Sequence, residues 1–296
     1  MTEALFPGFA LSRVQTSGGA EINVRTGGSG PPVLLLHGYP QTHAMWHKIA
    51  PELARHFTLV MTDLRGYGDS SGPEPLPDGS NYSFRAMAQD QVEVMEALGF
   101  DTFAIVAHDR GARTAHRLTL DHSRRVCALA LVDIQPTHYA WTNMTAARLR
   151  SAWHWALMAQ AHDIPEQLLC SAPRRWLLDK LLHMGKDGSH PFDARAYEEY
   201  LRCLTPTMIR ASCADYRAFS TLDVEHDQKD QDAGHRIECP LLVMYGEKTY
   251  GRSDMEAIWR AYGGNPVCQM ISDSGHYVAE EKPIETTTAL LQFLDT

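Results

Sequence analysis

The stretch FAIVAHDRGAR at positions 103–113 decides how this chain folds. Its apolar run, Phe103–Ala107, predicts a strand buried on both faces, and a helix-like sequence follows without a linker. Between the two stands Asp109, two residues before Gly111. A small residue, a reactive side chain and a glycine in this order are typical of a sharp turn that presents a nucleophile at the end of a strand. Taken alone, Asp109 would equally suit a plain cap on the following helix.

Similar apolar runs recur on both sides of this stretch, and each of them ends in a turn signal. Continuous rather than alternating apolar residues predict strands covered by helices on both faces, which is the α/β class with a mostly parallel sheet. Between two of these runs, Phe84–Leu98 follows the helical period. The runs are Val33–Leu36, Phe57–Met61, Ala128–Val132, Pro240–Tyr245 and Val267–Ile271.

The pattern changes in the middle of the chain. From about Gln135 to Arg236 the sequence is rich in Trp, His, Leu and Arg, has long helical periodicity and carries few strand signals. We therefore predict one core domain, formed by residues 1–135 and 237–296. A helical cap of residues 136–236 is inserted after the sixth strand.

Composition limits the classes of function. The 296 residues carry a formal net charge of −9, which argues against a nucleic-acid partner, because phosphates favour a basic face. No stretch approaches ~18 uninterrupted apolar residues, so the sequence predicts no membrane span, and the N-terminus does not resemble a signal peptide. The six cysteines contain no C-x-x-C pair, which predicts free thiols in the cytoplasm and no zinc site. An anionic substrate would need a local cluster of Arg or Lys against this net charge.

Polar residues follow the predicted strands at the point where each strand ends. His37-Gly38-Tyr39-Pro40 follows an early strand, and Ser274-Gly275-His276-Tyr277 follows the last one. In open α/β sheets, ligands bind at the carboxyl ends of the strands. We therefore expect these segments to meet Asp109 at one edge of the sheet.

Together these motifs resemble those of α/β-hydrolase-fold proteins over essentially the whole chain, in the branch whose nucleophile is Asp. That branch includes epoxide hydrolases, haloalkane dehalogenases and haloacetate dehalogenases. The resemblance implies an eight-stranded sheet, with Asp109 as the nucleophile and His276 as the base that activates water. The backbone N–H groups of Tyr39 and Arg110 would form the oxyanion hole. No metal or cofactor would be needed.

The choice of Asp over Ser has a chemical reason. A Ser alkoxide suits attack on a carbonyl, whereas a carboxylate suits displacement at a saturated carbon. The resulting alkyl ester carries a carbonyl of its own, which water can then attack. The residue type therefore points to cleavage of a carbon–halide or epoxide bond.

Two arginines close to the nucleophile narrow the choice. Arg110 follows Asp109 directly, where many relatives carry Trp, and Arg113 lies one turn further along the same helix face. Their forked N–H donors match a substrate that carries its own carboxylate. The alternative is that both arginines form structural salt bridges. The segment from His108 to Arg113 resembles that of fluoroacetate dehalogenases.

The cap is also similar to that family. His154, Trp155 and Tyr216 fall where the family keeps its halide donors, although each residue taken singly is more often a packing residue. One departure is that the stretch Lys180–Gly188 lacks a tryptophan that some relatives carry nearby.

The acid that orients His276 has two candidates. Asp133 follows the sixth strand and matches the position in the family. Asp254 follows the seventh strand, where many other α/β hydrolases place this residue. We favour Asp133.

These residues predict a hydrolytic dehalogenase that converts a short 2-haloacid, such as haloacetate or fluoroacetate, to glycolate and halide through an aspartyl ester. An epoxide hydrolase is the first alternative, and it would need two cap tyrosines to protonate the epoxide oxygen. A non-catalytic receptor for a small ligand is the second, and it predicts a broken nucleophile–His–acid set. The resemblance also suggests a homodimer.

Overall fold

The computed structural model describes residues 4–184 and 192–295 of the chain. Its centre is one eight-stranded sheet with the order β1-β2-β4-β3-β5-β6-β7-β8. The first two strands pair antiparallel, as do β2 and β4, and all the other pairs are parallel. The strands are β1 (Ala10–Gln15), β2 (Glu21–Gly27), β3 (Pro32–Leu36), β4 (Thr58–Thr62), β5 (Phe103–His108), β6 (Val126–Val132), β7 (Leu241–Gly246) and β8 (Val267–Ile271).

Helices connect the strands of the sheet. Those outside the long insertion are α1 (Ala50–Leu53), α2 (Phe84–Ala97), α3 (Asp109–Asp121), α12 (Glu247–Tyr250), α13 (Met255–Arg260), α14 (Val278–Glu281) and α15 (Pro283–Leu294). Those between β6 and β7 are α4 (Thr137–Thr142), α5 (Ala146–Ser151), α6 (Trp153–Met158), α7 (Ile164–Ser171), α8 (Pro173–Met184), α9 (Ala194–Cys203), α10 (Pro206–Phe219) and α11 (Leu222–Ala233).

The order of the strands puts helices on both faces of the sheet. In the sheet, β4 lies on one side of β3 and β5 lies on the other side. The connection from β3 to β4 and the connection from β4 to β5 therefore run in opposite directions across the sheet. Because crossovers between parallel strands are right-handed, α1 and α2 lie on opposite faces. Their contacts agree with this, since α1 packs on α15 and α2 packs on α3. The predicted α/β-hydrolase architecture is confirmed.

The buried strands are those with continuous apolar sequences. All six residues of β5 are buried, as are the last four of β3 and of β4. The edge strand β1 is almost entirely exposed, and its sequence mixes apolar and polar residues. The predicted strand ends lie within two residues of the observed ones, and the helix predicted over Phe84–Leu98 spans Phe84–Ala97, with the Ser83 hydroxyl accepting from the Ala86 N–H.

In the described residues between β6 and β7, the regular elements are the helices α4 to α11, which are joined by loops. This segment lies where the sequence predicts the cap, over residues 136–236, and the division into core and cap domains stays a prediction. None of the helices in the described ranges is both long and apolar enough to cross a membrane.

Candidate active site

Asp109 stands on a sharp turn between β5 and α3. Its φ is +47°, in the left-handed region that Asp tolerates better than most residues. The turn also needs Gly111, whose N–H donates to the carbonyl of His37 at 2.9 Å. A Cβ at residue 111 would lie only 2.4 Å from that carbonyl oxygen. The spacing of Asp109 and Gly111 therefore reflects the close approach of this turn to the end of β3.

The carboxylate of Asp109 is buried and held by a backbone donor. The Tyr39 N–H donates to its Oδ2 at 3.0 Å, as expected for one half of the predicted oxyanion hole. Burial alone would raise the pKa of Asp109, but His276 and the nearby arginines hold that pKa below its usual value. Asp109 is therefore ionised at neutral pH, which a nucleophile requires.

His276 lies beside Asp109 and is bonded to Asp133. Its Nδ1 is 2.6 Å from Asp133 Oδ2, and the other Asp133 oxygen accepts from the Gly246 N–H at 2.9 Å. On the opposite side of the ring, Nε2 is 3.9 Å from Asp109 Oδ1 and has no hydrogen-bond partner in the described part of the chain. A neutral ring in this orientation has Nδ1 protonated and Nε2 ready to accept a proton.

Asp254, the other candidate acid, lies elsewhere. Its side chain accepts from the Ala257 N–H at 3.0 Å and so caps the short helix α13. The structure brings Asp133 to His276 and leaves Asp254 at this cap, whose backbone donor gives that carboxylate a structural role.

Arg113 is buried to 2% exposure without a carboxylate partner among the residues that the structure describes. Its Nη1 donates to the Gln135 carbonyl and to the Thr137 hydroxyl, both at 3.1 Å. Its Nε is buried and makes no hydrogen bond to any described residue. Burial lowers the pKa of Arg113, although an arginine remains charged at neutral pH. Among the described residues, this positive charge therefore has no carboxylate within salt-bridge distance, although the Asp109 carboxylate lines the same cavity.

Arg110 differs from Arg113 because its charge is paired. Its Nε donates to Asp215 Oδ2 at 2.9 Å, and its Nη2 bonds the other oxygen of the same carboxylate. The Tyr67 hydroxyl also donates to Asp215, at 2.6 Å. The guanidinium lies against the rings of Phe84, Tyr216 and Phe219. Of the three guanidinium nitrogens of Arg110, Nε and Nη2 are bonded to Asp215, and Nη1 makes no hydrogen bond within the described ranges. The two arginines that the sequence predicts to bind a substrate carboxylate therefore differ in the number of free donors.

The three predicted halide donors come from two helices of the insertion. His154 and Trp155 lie on α6 and Tyr216 lies on α10, and the rings of His154 and Tyr216 pack edge to face with centroids 5.7 Å apart. All three line a cavity of about 50 Å³ together with Asp109 and Arg113. A space this small suits a ligand of only a few heavy atoms.

Four residues around the cavity have no place in the sequence-based predictions. Arg148 lines it and donates to the Tyr250 hydroxyl at 2.5 Å, and the Trp176 indole N–H donates to the Tyr39 hydroxyl at 2.5 Å. Lys180 lies behind the cavity against His154. For Lys180, the sequence offers one sign of burial, since this lysine stands three residues after Leu177 and so falls on the apolar face of a helix. The end of the stretch from 180 to 188, which lacks the family tryptophan, lies outside the described residues.

The arrangement suits nucleophilic displacement followed by hydrolysis. One small space is lined by the Asp109 carboxylate, by His276 with its acceptor Nε2, by Asp133 bonded to that His, and by the buried guanidinium of Arg113. No group of three or more His, Cys, Asp or Glu in the described residues is placed to hold a metal ion.

Comparison with known proteins gives the class of protein. A family model of the alpha/beta hydrolase fold matches residues 31–283. A solved structure from Nostoc sp. PCC 7120, described as an alpha/beta hydrolase, superposes with a TM-score of 0.93 at 48% identity, over 97% of this chain and 98% of that one. The chain therefore belongs to the α/β-hydrolase fold family.

Two curated relatives narrow the class. A fluoroacetate dehalogenase of Burkholderia sp. is 41% identical over 293 residues, which cover 98% of this chain and 95% of that protein. A soluble epoxide hydrolase of Corynebacterium sp. (strain C12) is 28% identical over 278 residues, which cover 93% of this chain and 94% of that protein. Within the fold, the chain is a member of the dehalogenase family, as its motifs predict.

Proposed function

We propose that this protein is a hydrolytic dehalogenase that converts a short 2-haloacid, haloacetate or fluoroacetate, into glycolate and halide. Arg113 carries this proposal, because its buried guanidinium forms no salt bridge with a described residue and lines the same small cavity as the Asp109 carboxylate. A bound substrate carboxylate would supply that salt-bridge partner. Membership of the dehalogenase family supports a hydrolase that acts on carbon–halide bonds.

In the first step, Oδ1 of Asp109 attacks the α-carbon of the haloacid in line with the carbon–halide bond. The new carbon–oxygen bond forms as that bond breaks, and the halide leaves with its electron pair. Arg113 holds the substrate carboxylate through its free edge, and Nη1 of Arg110 is available as a second donor. Holding the reacting atoms in this geometry removes much of the entropic barrier.

In the second step, water attacks the carbonyl carbon of the aspartyl ester. Nε2 of His276 takes the proton from this water, and Asp133 stabilises the imidazolium that forms. The oxygen that becomes negative is Oδ2, which already accepts the Tyr39 N–H, and the Arg110 N–H is the proposed second donor. Collapse of the intermediate breaks the bond between Cγ and Oδ1, and the departing glycolate oxygen takes the proton from His276. Asp109 keeps the oxygen from water and loses the remaining proton to solvent, which restores the carboxylate.

The leaving halide is stabilised by His154, Trp155 and Tyr216. Each supplies one N–H or O–H donor to the cavity that contains the nucleophile. Burial and the charge of Asp109 keep the pKa of Tyr216 well above its usual value, so its hydroxyl remains a donor at all working pH values.

The two alternative functions are less well supported. Tyr216 is the only tyrosine from the described part of residues 136–236 that lines the cavity, whereas an epoxide hydrolase would use two such hydroxyls. A non-catalytic receptor has no need of an ionised carboxylate, a base and an acid in hydrogen-bonding order.

Halide and diol release test the proposal directly. The purified protein is given fluoroacetate, chloroacetate and a small epoxide in parallel, with Asp109→Ala as the control that lacks the nucleophile. We expect release of fluoride or chloride by the wild type and none by the control. Hydrolysis of the epoxide without halide release from either acid would overturn the proposal in favour of an epoxide hydrolase. No turnover of any of the three would favour a receptor.

Two wider predictions accompany this function. The homodimer and the cytoplasmic location that the resemblance implies are proposed here as well, and the particle mass from light scattering tests the first. The small volume of the cavity and the arginine that lines it support a small anionic haloacid as the partner of this protein.

A further inference from the structure

Lys180 places a buried ammonium group directly behind the cavity. It lies on α8 with Leu177 and Leu181, and all three side chains are at most 1% exposed. Its Nζ is 2.8 Å from Nδ1 of His154. No carboxylate lies within 4.0 Å of this ammonium in the part of the chain that the structure describes. A charged lysine is rarely buried to this degree unless it is paired, so its position needs an explanation.

The chemistry of this contact determines where the proton of His154 lies. When Lys180 is protonated, its ammonium has three donors and no acceptor, so the Nδ1 that faces it acts as the acceptor. A doubly protonated ring has no acceptor nitrogen, so the His154 ring beside this ammonium is neutral. A neutral ring with a free lone pair on Nδ1 carries its proton on Nε2.

We propose that Lys180 is a positioning residue of the halide site, which holds His154 in the tautomer whose Nε2–H is donated to the departing halide. The inference rests on the proposed function, in which His154 is one of the halide donors. No proton is transferred in this step, because the halide leaves as an anion and accepts a hydrogen bond.

The alternative tautomer shows why this matters. With the proton on Nδ1, the ring would present a lone pair at Nε2, and that lone pair repels an anion. Fluoride concentrates its charge more than chloride does, so its departure depends more on each donor. Losing the tautomer should therefore slow defluorination more than dechlorination.

The charge of Lys180 acts in the same direction. Burial lowers the pKa of Lys180 to about 7, while the negative charge of Asp109 opposes that shift. A halide ion in the cavity favours the protonated ammonium in the same way that Asp109 does. Lys180 therefore contributes both a fixed hydrogen-bond direction to His154 and positive charge behind the leaving group.

The kinetic test compares three variants on fluoroacetate and chloroacetate. Lys180→Met removes the donors and the charge at similar length, Lys180→Arg keeps both, and Lys229→Met is the control, because Lys229 is a largely exposed lysine of α11. We expect Lys180→Met to lower kcat for fluoroacetate about tenfold more than kcat for chloroacetate, with KM changed by less than about threefold because Arg113 still binds the carboxylate. Lys180→Arg should restore part of the loss. Equal losses on both acids, or no loss, would overturn the proposal.

A spectroscopic test reads the tautomer without any turnover. The nitrogen-15 spectrum of the histidine rings is recorded for the wild type and Lys180→Met, and the His154 signals are assigned by their loss in His154→Gln. We expect an Nε2-protonated ring in the wild type and a shift toward the Nδ1-protonated form in Lys180→Met. An Nδ1-protonated ring in the wild type refutes the proposal even if Lys180→Met does not fold. Absence of halide release by the wild type would instead count against the proposed function, and the ring spectrum would still decide what Lys180 does to His154.

Discussion

Replacing Arg113 with methionine should separate activity from stability, because this arginine is buried and forms no salt bridge with any described residue. Methionine fills a similar length without charge, so the anion-binding edge is lost while the packing against Trp155 and Phe219 is largely kept. We expect Arg113→Met to lose activity on haloacetates and to keep its fold.

The size of the activity loss follows from the free donors of Arg113. Nη1 already bonds Gln135 and Thr137, which leaves the edge formed by Nε and Nη2 for a substrate carboxylate. A hydrogen bond to a charged group contributes about 1.5–3 kcal/mol, and two parallel ones contribute about 3–6 kcal/mol. At ~1.4 kcal/mol for each factor of ten, kcat/KM should fall by about two to four orders of magnitude.

The effect on stability should have the opposite sign or be close to zero. Removing a buried charge that has no ion-pair partner relieves a desolvation cost, which offsets the two hydrogen bonds lost at Nη1. The neighbouring Arg117 is the matched control, because it is equally buried on α3 but paired with Asp230 and Asp121. Arg117→Met should lower the free energy of unfolding by about 1–3 kcal/mol, since it removes charged hydrogen bonds to two carboxylates, of which Asp230 keeps His235 and Asp121 keeps Arg85.

Two measurements check this prediction. Initial rates of chloride release from chloroacetate give kcat/KM, and urea unfolding gives the free energy of unfolding for both variants. The reasoning fails if Arg113→Met keeps kcat/KM within about threefold of the wild type. It also fails if Arg113→Met is destabilised as strongly as Arg117→Met, since Arg113 would then be a structural residue.

Three further predictions follow from the same site and its surroundings. His276→Ala should accumulate the ester on Asp109, because the displacement step needs no base and the hydrolysis step does. After chloroacetate is added, the intact mass of this variant should rise by one carboxymethyl group. An unmodified and fully active variant would contradict this. Asp133→Asn should slow ester hydrolysis far more than Asp254→Asn in single-turnover kinetics, since an amide does not stabilise an imidazolium, and the reverse ranking would move the acid. Burial raises the pKa of Glu280 from 4.5 to about 8. As the pH rises, the unfolded chain therefore loses the proton of Glu280 at a lower pH than the folded protein does. The free energy of unfolding should decline by up to ~1.4 kcal/mol per pH unit between about pH 4.5 and 8. Glu280→Gln should flatten that decline in urea unfolding followed across this pH window, and an unchanged slope would exclude the buried acid as its cause.

The sequence predicts the parts of the site that depend on strand ends. Parallel strands bring their carboxyl ends to one edge, so the turns after β3, β5, β6 and β8 must meet there, whatever the details of packing. Asp109 and Asp133 directly follow β5 and β6, and His276 lies in the turn after β8, which is why their proximity is predictable without a structure. Gly111 adds a local signal, because its missing Cβ indicates the close approach of the turn after β5 to the end of β3.

The partners supplied by the helical segment are harder to predict. Asp215 pairs with Arg110 across 105 positions of sequence, and Lys180 reaches His154 across 26. These contacts depend on how α8 and α10 pack, and no local period or motif encodes that packing. The sequence therefore gives Arg110 and Arg113 equal roles, whereas Asp215 neutralises only one of them.

The turn at Asp109 has a consequence for how chemistry diversifies on this scaffold. Its shape depends on the glycine two residues later and on a backbone bond to the end of β3, and neither depends on which side chain the turn presents. An exchange at position 109 between short polar residues therefore leaves the surrounding frame almost untouched. The backbone of the turn therefore fixes where the reacting atom lies, while the side chain at position 109 decides whether that atom suits attack on a carbonyl or displacement at a saturated carbon.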